Sequence, residues 1–425
     1  MKKILILSVG GSAEPIVNAI KTYNPDFVYF FCSSGPKGSA LTVDSPGDPC
    51  GDKRKGKCPE CGHEFYLGNP QGNAIVFQAG LDSTKYEIVA IDDPDDLNDC
   101  YLRLLELSRE IKERHGEDCQ IIANYTGGTK TMSVAIALAG LMTEEWDLSL
   151  NIGPRLNLIN VKGGDVPVVI DKWRIFCQNQ LESAKKSIEN FNYSYATYSI
   201  SEMLSHPLDR GLRNRLLKAH QISQAFNLWD KFHHQKAFEL LIPHGARFSS
   251  YIIVLKKILG MVKSTGYEMV GDLLNNAERK AHQRYYDDAV ARIYRATELF
   301  AQIRLEKTYG YKTDNMKLTD LPEVLKQEYR SRVRDGDKLF LGLKEDYELL
   351  FKLDDPFGHK FKEREEGILN ALTRRNLSIG AHGLIPLSER DYLLVEKILR
   401  EFILDTSKAI GIDLQIPQLP QYGIL

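Results

Sequence analysis

Short apolar runs that end in glycine turns constrain the first part of this chain more than any other feature. "KILILSVGGS" (3–12) and "CQIIANYTGG" (119–128) each join such a run to a glycine pair, and a helical pattern follows both. "FVYFFCSS" (27–34) and "YEIVAID" (86–92) are also strand-like. Continuous apolar runs are typical of strands that are buried on both faces of a parallel sheet. Their alternation with helical patterns predicts a doubly wound α/β domain with a parallel sheet over residues 1–175.

The remainder of the chain is predicted to be helical. Strand patterns fade from residue 176, and long amphipathic stretches replace them. One stretch repeats apolar residues at helical intervals and predicts a buried face, formed by Val290, Ile293, Ala296, Phe300 and Ile303. We therefore expect an all-α connector over 176–270 and an all-α domain over 271–425, since a chain of 425 residues implies roughly two or three domains.

Bulk composition excludes several classes of protein. The formal net charge of −2 gives no overall attraction to nucleic acid, so any basic surface must be local. The first apolar run is only about six residues long and ends at a glycine pair, which favours a buried strand over a signal peptide. No stretch approaches the roughly 20 apolar residues of a membrane span. Clustered cysteines indicate metal binding in a reducing compartment, so a cytoplasmic protein is expected.

The two glycine turns form a candidate site for a phosphate- or nucleotide-type ligand, the alternative being two ordinary strand–helix turns. Ligands of open parallel sheets bind at the carboxyl ends of the strands, where glycine admits close approach and helix N-termini offer N–H groups. A P-loop is excluded because Thr129 precedes Lys130, and the dinucleotide fingerprint is excluded because its third glycine is missing. The candidate residues are Gly10, Gly11, Ser12, Thr126, Gly127, Gly128, Thr129 and Lys130.

A cysteine-rich insertion at residues 44–74 is predicted to bind a structural zinc. Cys58 and Cys61 stand in a Cys-Pro-x-Cys-Gly turn, which is typical of zinc knuckles, and Cys50 precedes them. His63 is the candidate fourth ligand, with Cys32 or a more distant group as the alternative. Because the insertion has few apolar residues, a metal would explain its folding, whereas a loop with free thiols is the competing interpretation. A zinc deaminase is excluded because the order of its His-x-Glu and Pro-Cys-x-x-Cys elements is wrong here.

An arginine and a histidine in "RRNLSIGAHG" (374–383) are the candidate catalytic groups. On a helix, seven residues make about two turns, so Arg375 and His382 would share one face. A metal-free ribonuclease needs a base, an acid and positive charge at phosphorus. His382 can serve as acid or base, Arg375 can stabilise the charge, and Asn376 can orient either group. One histidine per chain points to a composite site in a dimer, and the alternative is a polar stripe on an ordinary helix.

These segments together resemble the CARF–HEPN ribonucleases that accompany type III CRISPR systems, the Csm-six-like group. The head matches through "VGGSAEP" and "NYTGGTKTMS", which look like the CARF ligand turns. The tail matches through "AVARIYRATELFAQIRL" and "RNLSIGAHG", which look like the HEPN Arg-x(4–6)-His motif in its longest spacing. Between them, "WDKFHHQKAFELL" looks like the connector of this group. The resemblance implies a Rossmann-like CARF domain, a helical connector and a HEPN domain.

The resemblance also implies a sensor coupled to a nuclease. Two CARF domains of a homodimer would bind a cyclic oligoadenylate over residues 10–14, which adds Glu14 to the candidates, and over residues 126–130. The paired HEPN domains would cut single-stranded RNA with little sequence selectivity and without metal, leaving a 2′,3′-cyclic phosphate. The cysteine insertion departs from the general pattern of the family, and its place beside the ligand face suits covering the ring or supporting the dimer.

Two other interpretations remain open. The head could be a nucleotide sensor whose helical tail only transmits a signal or binds a partner, or the tail could be an RNase that is always active beside a structural head. A transcription regulator is disfavoured because no basic recognition helix is present. Arg292, Arg295 and Glu298 either line the nuclease cleft or lie on an exposed helix face.

Overall fold

The computed structural model of the chain describes all residues except 36–37, 45–54, 67–73, 154, 157–159, 162–164, 314, 335–336, 377 and 379–382. The chain divides into two compact units, Met1–Gln178 and Asn179–Leu425. Over the described residues, no helix combines the length and the apolar character that a membrane crossing requires.

The first unit is an α/β domain built on a six-stranded sheet. Its strands are β1 (Lys3–Ser8), β2 (Phe27–Ser33), β3 (Lys55–Lys57), β4 (Glu64–Tyr66), β5 (Tyr86–Ile91), β6 (Gln120–Asn124), β7 (Trp146–Ile152), β8 (Arg155–Leu156), β9 (Asn160–Val161) and β10 (Val166–Ile170). Its helices are α1 (Glu14–Tyr23), α2 (Leu41–Asp44), α3 (Ile75–Ala79), α4 (Leu97–His115) and α5 (Lys130–Met142). The sheet order is β10-β7-β6-β1-β2-β5, and all neighbours are parallel except β10 and β7. The predicted α/β class is confirmed, with one antiparallel edge strand that the sequence pattern did not distinguish.

Burial on both faces of the sheet explains the continuous apolar runs. In β1, Ile4 and Ile6 belong to the hydrophobic core that includes α4 and α5. Leu5 and Leu7 belong to the core on the other face, which includes α1. Because β1 and β6 are parallel neighbours, the turns that follow them lie side by side at the carboxyl edge of the sheet.

The second unit is helical, and a short hairpin interrupts it. The helices after the sheet are α6 (Trp173–Glu189), α7 (Tyr193–Ser205), α8 (Arg210–Asp230), α9 (His234–Leu241), α10 (Gly245–Ile258), α11 (Glu268–His282), α12 (Tyr286–Tyr309), α13 (Glu323–Tyr329), α14 (Leu343–Lys352), α15 (Pro356–Glu363), α16 (Glu365–Asn376) and α17 (Glu389–Ala409), and the hairpin is β11 (Val333–Arg334) with β12 (Lys338–Leu339). One hydrophobic core joins α7 to α10, which we call the connector helices, and another joins α11 to α17, the carboxyl-terminal helices. The predicted buried face of α12 is confirmed, although Ile303 is only half-buried. The domain boundaries predicted at residues 175 and 270 stay predictions.

Buried charges join the connector helices to the carboxyl-terminal helices. Arg279 of α11 is 1% exposed, and its Nε donates to Asp230 Oδ1 of α8 at 2.7 Å. Asp272 of α11 is equally buried and lies 2.8 Å from His234 Nε2 of α9. The Arg279 Nη1 donates to Gln418 Oε1 at 2.6 Å, which ties down the segment after α17. Removal of one partner from such a buried pair costs roughly 3–5 kcal/mol, so the two groups of helices are held in one arrangement.

Candidate functional site

The two predicted glycine turns touch each other at the carboxyl edge of the sheet. The Ser8 hydroxyl, at the end of β1, donates to the Gly127 carbonyl at 2.7 Å. A Cβ atom on Gly10 would lie 2.8 Å from the Gly128 nitrogen, and one on Gly127 would lie 2.4 Å from the Ser8 carbonyl oxygen. Gly128 also has a φ of 82°, which favours glycine. The structure therefore brings Gly10, Gly127 and Gly128 together and explains why each is a glycine.

The threonine hydroxyls of the second turn hold its shape. Thr126 Oγ1 donates to Asn124 Oδ1 at 2.6 Å and accepts the Asn151 backbone N–H at 2.8 Å. Thr129 Oγ1 donates to the Pro94 carbonyl at 2.7 Å and accepts a backbone N–H from the first turn of α5. Both hydroxyls are thus engaged within the protein. A ligand at this turn would meet backbone N–H groups of the turn and of the α5 N-terminus.

Three polar side chains of the candidate site stay accessible. Ser12, Glu14 and Lys130 are exposed, and Gly11 is half-buried. Lys130 is the first residue of α5, so its ammonium adds to the positive end of the helix dipole and favours an anion. Glu14 occupies the matching position on α1, where its carboxylate is stabilised by the helix dipole and would repel a phosphate. The positive side of the site therefore lies at the second turn.

A buried polar network beneath the turns was not predicted. Asn151 of β7 donates through Nδ2 to Asp165 Oδ2 at 2.5 Å and to the Pro15 carbonyl at 2.8 Å. Asn18 of α1 donates to the other Asp165 oxygen at 2.7 Å. This network ties α1 to β7, and the backbone N–H of Asn151 in β7 donates to Thr126 Oγ1 in the second turn. The sequence gives little signal of the network, because Asn151 is one of the polar residues that alternate with apolar ones along β7.

The cysteine motif forms a hairpin between β3 and β4. The Cys58 backbone N–H donates to the His63 carbonyl, and the Gly62 N–H donates to the Cys58 carbonyl, both at 2.9 Å. Backbone N–H groups of Cys61 and Glu60 donate to the Cys58 sulfur and lower the pKa of that thiol. This arrangement favours a thiolate, as a zinc knuckle requires.

The predicted set of four zinc ligands is not assembled in the part of the chain that the structure describes. No third His, Cys, Asp or Glu side chain there joins Cys58 and Cys61 in a cluster that could hold a metal, so His63 is not placed as a ligand. Cys32 is buried in β2, within the hydrophobic core. Cys50 lies outside the described residues.

The predicted helix that carries both Arg375 and His382 is wrong. α16 ends at Asn376, and Ser378 instead forms an isolated bridge with Ile385. The Ser378 N–H and hydroxyl both donate to the Arg375 carbonyl, at 3.1 and 2.7 Å, which closes the helix end. His382 lies outside the described residues. The two groups therefore do not share a face through a continuous helix.

Arg375 occupies the last turn of α16, and none of the described residues is an acidic partner of it. Its guanidinium carbon lies 4.4 Å from the ring centroid of Tyr294, and its Nη1 donates to Asn376 Oδ1 at 3.2 Å. Among the described residues, no carboxylate lies within ion-pair distance of it, and its buried Nε has no hydrogen-bond acceptor. The neighbouring Arg374 is instead paired with Asp391 at 2.6 Å. Of these two adjacent arginines, Arg375 is the one whose donors no described carboxylate engages.

Only some of the charged residues of α12 are exposed. Arg295 pairs with Glu298 at 2.7 Å on the outer side of the helix. Arg292 turns toward α11, where its Nε donates to Asn276 Oδ1 at 3.0 Å. Asp346 of α14, which the sequence analysis missed, is fully buried, and burial followed by the Glu298 charge raises the pKa of its carboxyl well above the usual range. Asp346 is thus a buried acid that lies close to α12, the helix whose Tyr294 contacts Arg375.

Comparisons with known proteins agree with this arrangement. Residues 258–405 match the family model described as the Csm6 HEPN domain. Among solved structures, the chain is similar to Enterococcus italicus Csm6 bound to cyclic hexa-2′-fluoro-hexa-dAMP, with a TM-score of 0.59 and 14% sequence identity over 96% of this chain and 94% of that chain. The chain has no significant sequence match among curated proteins. The resemblance to Csm6-like CARF–HEPN proteins is therefore confirmed, by sequence in the HEPN segment and by fold over nearly the whole chain.

Proposed function

We propose that this chain, which resembles the Csm6-like CARF–HEPN proteins, is an endoribonuclease that a cyclic oligoadenylate activates. The observation that carries the proposal is Arg375 at the end of α16, a cation without an acidic partner in the described part of the chain, within the segment that matches the Csm6 HEPN domain. Its substrate is single-stranded RNA, cut with little sequence selectivity and without a catalytic metal. It acts in the cytoplasm as a CRISPR-associated effector.

The reaction needs two proton transfers and a positive charge that stabilises the negative charge at phosphorus. A base removes the proton of the RNA 2′-hydroxyl, the 2′-oxygen attacks phosphorus, and the bond from phosphorus to the 5′-oxygen breaks. An acid gives a proton to that 5′-oxygen, which leaves a 2′,3′-cyclic phosphate. His382 from each of two chains fills the two proton-transfer roles, and Arg375 stabilises the negative charge at phosphorus. Asn376, which accepts from Arg375, orients it.

The activator binds over the two glycine turns. Backbone N–H groups at the turn 126–130 and at the α5 N-terminus suit the phosphates of a cyclic oligoadenylate, and the exposed Lys130 adds positive charge. The similar Enterococcus italicus Csm6, solved with a cyclic hexanucleotide analogue, supports a ligand of this class. Binding must favour the active arrangement over the resting one, because a ligand shifts an equilibrium only by its difference in affinity.

Exposed apolar surface in each unit supports a homodimer. From residue 134 to its end, α5 has no polar side chain, and Val134 and Met142 on its outer face are 48% and 63% exposed. A helix that is apolar all round is usually buried, so a second copy is the expected cover. In the second unit, Leu384 and Ile385 follow the catalytic segment and are 87% and 66% exposed. Pairing near this point would bring two copies of the segment together, as the two-histidine mechanism requires.

The proposal is tested by the cleavage of a labelled single-stranded RNA, with and without cyclic tetra- or hexa-adenylate. We expect cleavage only with one of the rings, both in EDTA and in metal-free buffer without chelator, and products that end in a cyclic phosphate. Cleavage at the same rate with and without the ring would instead indicate an RNase that is always active. A protein that binds a ring but leaves the RNA intact would be a sensor whose helical tail acts on a partner.

We also propose that the β3–β4 hairpin binds a structural zinc through the Cys58 and Cys61 thiolates, with Cys50 as the predicted third ligand. The lowered thiol pKa of Cys58 supports this, because zinc binds the deprotonated sulfur. Protein purified without chelator should carry about one zinc per chain, whereas Cys58→Ser with Cys61→Ser should carry none. Cys119→Ser, which changes a half-buried cysteine outside the insertion, is the matched control. Wild-type protein without zinc, and with a melting temperature that added zinc does not change, would contradict the site.

A further inference from the structure

We propose that Tyr294 is a positioning residue of the nuclease site, which holds the guanidinium of Arg375 against its ring. The inference rests on the proposed ribonuclease function and extends it to a residue outside the Arg-x6-His motif. The carrying observation is the distance of 4.4 Å between the Arg375 guanidinium carbon and the ring centroid. Arginine stacks readily on aromatic faces because its planar cation is attracted by the ring quadrupole.

Arg375 depends on this ring because little else orients it. It stands in the last turn of α16, where the helix closes at Ser378. Among the residues that the structure describes, its buried Nε has no acceptor, and its guanidinium makes one hydrogen bond, from Nη1 to Asn376. Arg374, by contrast, is fixed by Asp391. Within the described residues, the Tyr294 ring is thus the main surface that sets the plane of the Arg375 guanidinium.

The ring itself is firmly held by α12. Its neighbour Ile293 is 1% exposed, and Thr297, one turn further, is fully buried. The Tyr347 hydroxyl donates to the Thr297 carbonyl at 2.8 Å, which fixes this part of α12 to α14. A rigid support matters, because small errors in the placement of a catalytic cation reduce transition-state stabilisation.

The ring face, rather than the phenol oxygen, provides the support. Burial and the Glu298 charge raise the pKa of Tyr294, so its hydroxyl stays protonated at neutral pH and forms no ion pair with Arg375. Stacking also leaves the edges of the guanidinium free, and these edges carry the N–H donors that a phosphate accepts from. Phenylalanine at position 294 should therefore preserve the support of Arg375, whereas an aliphatic residue should lose it.

The test compares Tyr294→Phe and Tyr294→Leu in ring-activated RNA cleavage. We expect Tyr294→Phe to keep kcat close to wild type and Tyr294→Leu to lower kcat by roughly 5- to 30-fold, the rate equivalent of a cation–π contact. KM should change less than kcat, because the support acts when charge develops at phosphorus. Tyr285→Leu, at an exposed tyrosine just before α12, is the matched control and should behave as wild type.

Each outcome decides the proposal. If Tyr294→Phe loses as much activity as Tyr294→Leu, the hydroxyl is the active group and the role of the ring is overturned. If Tyr294→Leu keeps the wild-type kcat, the positioning role fails while the ribonuclease function stands. Wild-type protein that cleaves no RNA with either ring defeats the ribonuclease function and this role with it. If Tyr294→Leu does not fold, Tyr294→Met provides the same test with a more adaptable side chain.

Discussion

Replacing Arg375 with alanine should lower ring-activated RNA cleavage by roughly 100- to 1000-fold, while binding of the ring stays unchanged. Loss of one donor to developing negative charge has this effect in other acyl- and phosphoryl-transfer sites. Arg375 has no acidic partner among the described residues, so its charge is available to phosphorus. The loss should appear in kcat, measured at saturating RNA and saturating ring.

The neighbouring Arg374 supplies a matched control for this prediction. It is in the same helix turn, but its guanidinium is paired with Asp391, so Arg374→Ala should keep most of the activity. His382→Ala should lose activity by a similar factor, since general acid–base catalysis contributes roughly 100- to 10,000-fold. The control for that substitution is His359→Ala, which changes an exposed histidine of α15 that is paired with Asp354. Equal losses at Arg374 and Arg375 would argue that the arginines act through stability or general charge.

Replacing Gly127 with alanine should abolish the response to the activator while leaving the HEPN unit folded. The added Cβ would lie 2.4 Å from the Ser8 carbonyl oxygen, which is backbone and cannot rotate away, so the turn must shift. A displacement of about 1 Å can cost on the order of 100-fold in function, so we expect at least such a loss in ring affinity. Calorimetric titration with cyclic tetra- and hexa-adenylate measures the effect directly.

Gly245→Ala is the control for the glycine substitution. Gly245 begins α10, and a Cβ there would meet only Ile252 Cδ1, at an ordinary distance of 3.7 Å. Gly10→Ala is a milder form of the same change, because its Cβ would lie 2.8 Å from the Gly128 nitrogen. Affinity should fall in the order wild type, Gly10→Ala, Gly127→Ala. A Gly127→Ala protein with wild-type ring affinity would separate the glycine turns from activator binding.

The elements of the fold were predictable where local pattern determines them. Runs such as residues 4–7 and 121–123 are apolar at every position because both faces of the sheet are covered, and this pattern is visible in one sequence. The direction of β10 was not predictable, because an apolar edge strand reads alike in either direction. The helix predicted to carry both Arg375 and His382 was too long, because the two hydrogen bonds from Ser378 to the Arg375 carbonyl end α16 earlier.

The candidate site was predictable in its glycines but not in its supports. Glycine pairs after strands suggested close backbone contact, and the structure places Gly10 against Gly128. The support of Arg375 by Tyr294 joins residues 81 positions apart, and nothing in either local pattern reveals the contact. The same is true of Asn151 and Asp165, whose buried hydrogen bond depends on how two strands pair. Long-range contacts between polar groups thus marked the limit of prediction.

The buried charges around Arg279 hold α8, α11 and α12 as one rigid group of helices. Asp230 at the end of α8 accepts from Arg279 and Asn276 of α11, and Asn276 in turn accepts from Arg292 of α12. A partial slip of α8 along α11 would separate charges in a medium of low dielectric, so intermediate positions are costly. A movement of α8 would therefore be passed through α11 to Arg292 of α12, two residues before Tyr294.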